Sequence, residues 1–329
     1  MVAVGCALIP TPVRAQESVA DTLAAQVGKI FQERRGAVVK VRARDGFGIR
    51  SGSGFFADPS GTIYTHAGIV LRANEVTVVY DGKEVPAKVL TADERSGIAI
   101  LKIDSTTPFI PTGDSRQVRM ATPIVAIGYP EELEAGPSFG IISGFDRQHL
   151  GQFFSTTHFR ANLPAQRGQG GAPALNLNGE AIGILVGRID NGTACYILPM
   201  RAAEKVRTDL IRFGETRPGW VGVQVEDSTP VAGEASCTIV GALDPETPAA
   251  KSGLQPGDRL VSVGGTTIST SEDVVDASYF LTAGDPAEIV VRRGNETLSV
   301  TVKPTLHPLA PGKGVQSAEL GFSSPANGQ

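Results

Sequence analysis

The chain has 329 residues with 41% hydrophobic, 19% charged and only 6% aromatic content, and its formal net charge is −4. That length exceeds what one core usually serves, so two domains are expected. A slightly acidic, aromatic-poor chain gives no electrostatic case for a nucleic-acid partner, and no apolar run is long enough to span a bilayer as a helix.

Residues 1–15 are apolar and close on Val13-Arg14-Ala15, a small-x-small pattern of the kind signal peptidase cuts. The stretch lacks a basic start, so a clipped signal peptide and a plain apolar tail both fit. Cys6 follows a poor lipobox, and Cys195 and Cys237 fall in different candidate domains, so no bridge between them is implied. From Ser18 to Phe31, Val19, Leu23, Val27 and Ile30 share one face of a short amphipathic helix.

After Ala37 the period changes to two. Val39, Val41 and Ala43 alternate with Lys40, Arg42 and Arg44. Short strands follow at Thr62 to Thr65, Val76 to Tyr80, Val85 to Thr91 and Ile98 to Ile103, with Asp81-Gly82 as a hairpin turn. Further strands are expected at Ile124 to Ile127, Phe139 to Phe145, Phe159 to Leu163, Ala174 to Asn176, Ala181 to Val186 and Ala194 to Leu198. Evenly spaced short strands argue for barrels or a sandwich. A helical pattern over Met200 to Phe213 precedes Glu215-Thr216-Arg217-Pro218-Gly219, which reads as a boundary. Beyond it one helix is expected with Ser271 as N-cap, Val274, Ser278 and Leu281 on one face, and Val275 and Tyr279 on another.

The most informative stretch is Gly168-Gln169-Gly170-Gly171-Ala172-Pro173, followed by two short apolar strands around Asn178-Gly179. Glycines this dense mark left-handed backbone, or backbone that something must approach. This stretch resembles the nucleophile loop of the HtrA/Deg branch of trypsin-like serine proteases, written G-N-S-G-G-P-L in that family. Gly52-Ser53-Gly54-Phe55, Gly61-Thr62-Ile63-Tyr64-Thr65, Ala126-Ile127-Gly128-Tyr129-Pro130 and Gly140-Ile141-Ile142-Ser143 resemble the same protease domain in its usual order. Trp220-Val221-Gly222-Val223 and Pro248-Ala249-Ala250-Lys251-Ser252-Gly253-Leu254-Gln255-Pro256-Gly257-Asp258 resemble a PDZ module.

The resemblance implies a mainly β chain: a trypsin-like double six-stranded β-barrel over residues 16–214, an α/β PDZ domain over 219–306, and a Pro-, Gly- and Ser-rich disordered tail over 307–329. It also places the catalytic triad, and at each position this chain has glycine. Gly68 replaces the histidine of the family's T-N-A-H turn, Gly97 the aspartate before the D-L-A-V-L-K strand, and Gly170 the serine. Nucleophile, base and orienting carboxylate are all required, so no catalytic residue is expected. His66 lies two residues from the histidine position, a displacement of about 6–7 Å along an extended strand, too far for rescue. His66, His149 and His158 lack metal-ligand spacing, and neither a metal nor a cofactor is expected.

The expected role is therefore binding. Gly168, Gln169 and Gly170 form a vestigial oxyanion loop that either still offers amides to a peptide carbonyl or has collapsed. In the PDZ domain, the resemblance assigns a peptide's C-terminal carboxylate to Trp220, Val221, Gly222 and Val223, with Val275 and Tyr279 lining the groove. It implies an exported, periplasmic pseudoprotease in protein quality control that takes C-terminal peptides or unfolded proteins, with an active protease homologue as a possible partner and a homotrimer as a possible assembly. A working endopeptidase with displaced catalytic groups and a purely structural assembly subunit are the alternatives.

Overall fold

The computed structural model describes residues 18–150, 152–228, 236 and 238–306. The leader, Cys6, Cys237 and the tail from residue 307 lie outside the described residues.

Helix α1 (Val19–Arg34) begins where Ser18 accepts a hydrogen bond from the Asp21 amide, and Ile30 is its buried contact with the body of the fold. Strands β1 (Val38–Asp45), β2 (Gly48–Phe56), β3 (Thr62–His66), β4 (Glu75–Tyr80), β5 (Lys83–Pro86), β6 (Lys88–Asp93) and β7 (Ile98–Lys102) form one sheet in the order β5-β4-β1-β2-β3-β7-β6. The two end strands are separated in sequence by Ala87 alone. The stretch expected as one strand from Val85 to Thr91 is thus bent at Pro86, which cannot donate to a ladder, and the bend carries the chain from one edge of the sheet to the other. Helix α2 (Ala67–Val70) is a single turn immediately after β3.

The second sheet is a closed barrel in the order β10-β13-β12-β11-β8-β9. Its strands are β8 (Pro123–Gly128), β9 (Gly136–His149), β10 (Gln152–Ala161), β11 (Pro173–Leu175), β12 (Ala181–Ile189) and β13 (Ala194–Pro199). The β9–β10 hairpin is longer than the alternation of apolar residues suggested, and its outer half carries the contact with the C-terminal domain. Helix α3 (Met200–Phe213) ends at Gly214, which takes the left-handed conformation (φ 76°) that favours glycine. The first unit, the first barrel of the pair, has seven strands where six were expected, because the break at Pro86 divides one strand in two. Separate apolar clusters fill the two units, around Val41, Phe56 and Leu101 in the first and Ile124, Ile142 and Leu185 in the second. A third, through Phe55, Tyr64, Ile98, Val125 and Ile184, joins them and continues to Met200 and Tyr279.

The C-terminal domain contains β14 (Val225–Asp227), β15 (Thr238–Val240), α4 (Pro248–Lys251), β16 (Arg259–Val263), β17 (Thr266–Thr267), α5 (Ser271–Tyr279), β18 (Ala287–Arg293) and β19 (Glu296–Val302). The sheet order is β14-β15-β16-β18-β19, with β17 beside β16. The N-cap of α5 is Thr270, one residue before the expected Ser271. Thr270 and Asp273 form a capping box, in which the Asp273 carboxylate accepts from the Thr270 amide at 2.8 Å. Only an acceptor reaching back from the third helical position closes such a box, and Asp273 has that spacing from Thr270.

Candidate functional site

The cleft is built from three backbone turns that converge between the barrels. β3 ends at His66, whose backbone is still extended (φ −80°, ψ 131°), and the chain then coils into α2. The Ala67 amide donates to the Gly97 carbonyl at 2.7 Å, tying the turn that holds Gly68 to the turn that precedes β7. Gly97 has φ 76°. Because the chain coils at Ala67, the strand-based displacement expected for His66 does not apply. Its imidazole folds back into the space beside both glycines. A Cβ at Gly68 would lie 2.7 Å from His66 Cε1, and a Cβ at Gly97 would lie 3.6 Å from its Nε2. Burial lowers the imidazole pKa to about 4, so the ring is neutral near pH 7.

The third turn is the glycine-rich loop. Gly168 and Gly171 have φ of 85° and 86°, and neither tolerates a side chain, since a Cβ would lie 2.4 Å from the Tyr129 carbonyl oxygen and 2.1 Å from that of Ser53, respectively. Ser53 organises the loop. Its amide donates to the Gly170 carbonyl and its hydroxyl to the Gly168 carbonyl, each at 2.8 Å, while the same hydroxyl accepts from the Tyr129 amide at 2.9 Å. Gln169 is buried, and its side-chain oxygen accepts from the Gln166 amide at 2.7 Å. The loop is thus cinched to β2 and closed on itself, with Gly170 buried. A depression of about 390 Å³ lies alongside, lined by Glu131, Pro164, Gln166, Arg167 and Arg188 among others.

His149 and His158 sit elsewhere, on the β9–β10 hairpin around Tyr196: His149 Nδ1 is 3.2 Å from the Tyr196 hydroxyl, and His158 donates through Nδ1 to the Thr156 carbonyl at 2.8 Å. Burial lowers the pKa of His158 to about 4 and raises that of the Cys195 thiol to about 12, which leaves the thiol unreactive. Among the described residues, no group of three or more His, Cys, Asp or Glu gathers as a metal set would.

In the C-terminal domain, Trp220 exchanges backbone hydrogen bonds with Thr305, and the Val221 carbonyl accepts from the Ala249 amide at 2.9 Å. Gly222 has φ 72°, and a Cβ there would come within 2.5 Å of Thr247. Val221 is buried in the domain core and Val223 packs partly against it. These contacts anchor the loop at the start of β14, which among the described residues pairs with β15 alone and lies beside α5. Val275 on α5 is 44% exposed.

Tyr279 departs from expectation. It is 2% exposed and turns away from the groove onto the barrel domain. The Arg95 guanidinium carbon stands 4.4 Å from its ring centroid, and its hydroxyl donates to the Ala202 carbonyl at 3.3 Å. The residues one turn earlier make the same contact: Asp276 accepts from the Thr156 hydroxyl and the Thr157 amide, both at 2.6 Å, and from Arg201 at 2.8 Å. Arg147 pairs with Asp273. Sequence reasoning missed Asp276 and Arg147, because nothing local to a helix shows what its polar face will meet; Asp273 is legible as an acidic first-turn residue, but its pairing with Arg147 is not. It also missed Asp227, whose carboxylate reaches from the end of β14 to the amide and hydroxyl of Ser271, each at 2.9 Å.

Residues 52–184 match the trypsin-like peptidase domain family and residues 219–303 the PDZ domain family. The chain is 30% identical over 285 residues to a probable periplasmic serine endoprotease, DegP-like, of Brucella suis, and 31% identical over 267 residues to the protein of the same name from Halomonas elongata. Those alignments cover 82% and 76% of this chain and 55% of each relative, so the chain spans about half the length of the curated relatives it matches. Among solved structures, the HtrA-type protease AlgW with tripeptide superposes with a TM-score of 0.72 at 24% identity, covering 86% of this chain and 97% of that one. A serine endoprotease from Yersinia pestis superposes with a TM-score of 0.63 at 24% identity, covering 85% and 98%.

Proposed function

For this chain, a homologue of the HtrA-type and DegP-like endoproteases that carries a trypsin-like peptidase domain followed by a PDZ domain, we propose a binding role without proteolysis. The observation that carries the reading is the set of three glycines, Gly68, Gly97 and Gly170, at the positions where the resemblance puts base, carboxylate and nucleophile. Glycine supplies none of these groups, and without the triad an enzyme of this type retains only about 10³–10⁴-fold acceleration over water. Ser53 offers no replacement, since its hydroxyl is buried and engaged on both sides within the loop.

The PDZ domain supports the positive half of the proposal. The β14 edge, which among the described residues pairs on one side only, suits strand addition, and the loop from Trp220 to Val223 is anchored at the end where a peptide's terminal carboxylate would dock. Val275 supplies exposed apolar surface beside that edge. The ligands are peptides or unfolded proteins with free, apolar C-termini, held with affinity on the order of micromolar, because a short peptide loses much conformational freedom on ordering. The periplasmic naming of the relatives and the apolar leader support an exported protein acting in envelope quality control. A homotrimer, or assembly with an active homologue, rests on the resemblance.

One observation favours the second reading, an endopeptidase with displaced groups: the His66 imidazole does lie at the cleft, against Gly68 and Gly97. It still requires a nucleophile that Gly170 cannot provide. The reading is tested by titrating paired peptides that differ only in a free or amidated C-terminus. Free-acid peptides should bind at least about tenfold more tightly, since the terminal charge strengthens its hydrogen bonds; equal affinities would remove the carboxylate from the account.

A further inference from the structure

The cleft is not empty where its base should be. Measured from a Cβ built at Gly68, His66 Cε1 lies at 2.7 Å, Nδ1 at 3.0 Å and Nε2 at 3.8 Å. The ring thus presents its Cε1–Nδ1 edge to Gly68, opposite to the Cγ through which a histidine at 68 would join its own Cβ. The ring of His66 therefore packs against the position from which a histidine at 68 would extend, entering from the neighbouring turn. Its Nε2 is the ring atom nearest a Cβ built at Gly97, at 3.6 Å, a distance from which an aspartate's carboxylate can reach a ring nitrogen. The glycine-rich loop abuts the same residue, since a Cβ at Gly171 would lie 2.8 Å from the His66 amide nitrogen.

We propose that His66 is a stand-in base: its imidazole is held in the place of the missing catalytic histidine, with Nε2 toward Gly97, so that the cleft lacks a nucleophile and an orienting carboxylate but not a base. The proposal rests on reading Gly170 and Gly97 as the emptied nucleophile and carboxylate positions. It relates Gly68 to His66 physically, because a side chain at 68 would require the His66 ring to move from its place. It also makes position 97 repairable, because aspartate is among the few residues that enter the left-handed region found there with modest strain. The ring's low pKa keeps it in the proton-accepting form near neutrality.

The chemistry of the test follows. In a Gly170→Ser variant, the introduced hydroxyl attacks the phosphorus of a fluorophosphonate. An O–P bond forms, the P–F bond breaks, fluoride leaves, and the hydroxyl proton passes to Nδ1, the ring nitrogen that remains when Nε2 faces position 97. Labelling rates are read by intact mass on the full chain. The native protein should not label. Gly170→Ser should label slowly, Gly170→Ser with Gly97→Asp about 100-fold faster or more, and addition of His66→Asn to that pair should abolish the gain. Equal rates with and without His66→Asn, or no labelling of the folded double variant, would overturn the proposal.

A second measurement needs neither serine nor activity. In histidine-labelled protein followed by NMR, Gly97→Asp should raise the His66 pKa by about 1–3 pH units, as a carboxylate beside an imidazole does, while Gly97→Asn should leave it near its native value. A His66 titration unmoved by Gly97→Asp would overturn the assignment. Labelling of the native chain that disappears with His66→Asn would support the stand-in base and instead overturn the reading of the native protein as inactive.

Discussion

Asp276 of helix α5 accepts a hydrogen bond from the Thr157 amide of strand β10 at 2.6 Å, across the boundary between the two domains. The Thr156 hydroxyl and the Arg201 guanidinium complete its shell, and Tyr279 seats the next turn of the helix beneath Arg95. One face of the PDZ helix is thereby committed to the barrel domain, and Val275 is left on the exposed side.

Asp276→Ala should strip three donors of a shared acceptor at a nearly closed site. Hydrogen bonds to charged groups contribute roughly 1.5–3 kcal/mol, and Arg201 keeps some solvent, so a loss of about 2–3 kcal/mol in urea unfolding is expected. Amide exchange should rise at Thr156 and Thr157 and in α5, while the core of the first barrel stays protected. Unchanged exchange at Thr157 would show that the contact does not hold the domains.

Acidification should weaken the fold in two steps. Burial lowers His66 and His158 to about 4, whereas an unfolded histidine titrates near 6.5. Between those values the unfolded chain binds more protons, so stability falls as pH drops from about 6.5 to 4, by about 1.4 kcal/mol per pH unit per histidine at most. Burial alone would raise the Asp276 carboxyl, but the hydrogen bonds from Thr156 and Thr157 and the charge of Arg201 outweigh it and hold it below the usual carboxylate range. Its stabilising contribution is complete above the unfolded value near 3.9 and is lost only as pH falls through the lower folded value. Urea midpoints against pH check both steps. His158→Gln should flatten the upper step by about half, and a slope unaltered by that change would contradict the assignment.

The two apolar residues once grouped together on α5 should now separate. Val275→Glu places a charge beside the β14 edge and should weaken free-acid peptide binding at least about tenfold, with little change in stability because the site is exposed. Tyr279→Ala should cost about 3–5 kcal/mol as a core truncation and leave the affinity of the folded fraction nearly unchanged. Isothermal titration together with thermal unfolding distinguishes the pair. Affinity lost in the tyrosine variant and retained in the glutamate variant would return Tyr279 to the groove.

These residues also mark how far the sequence could be read. The barrels were legible because alternation such as Val39, Val41 and Ala43 is local and one-sided. The glycine loop was legible because left-handed turns restrict composition, as the contacts of Gly168 and Gly171 bear out. Tyr279 was not, because its helical face is compatible with a groove or a neighbouring domain, and only the fold brings Arg95 to it. His66 was misjudged for a similar reason. Its distance from the cleft was measured along a strand, while the chain coils at Ala67 and turns the side chain back.

The most direct test of the central claim is a time course by mass spectrometry, in which the repurified native protein is incubated with an unfolded substrate and with a free-acid peptide that it binds. The account predicts that the peptide is retained and that both substrates keep their intact masses after prolonged incubation. New fragments that persist through repurification and vanish in His66→Asn would contradict it, and would show that the cleft still cuts.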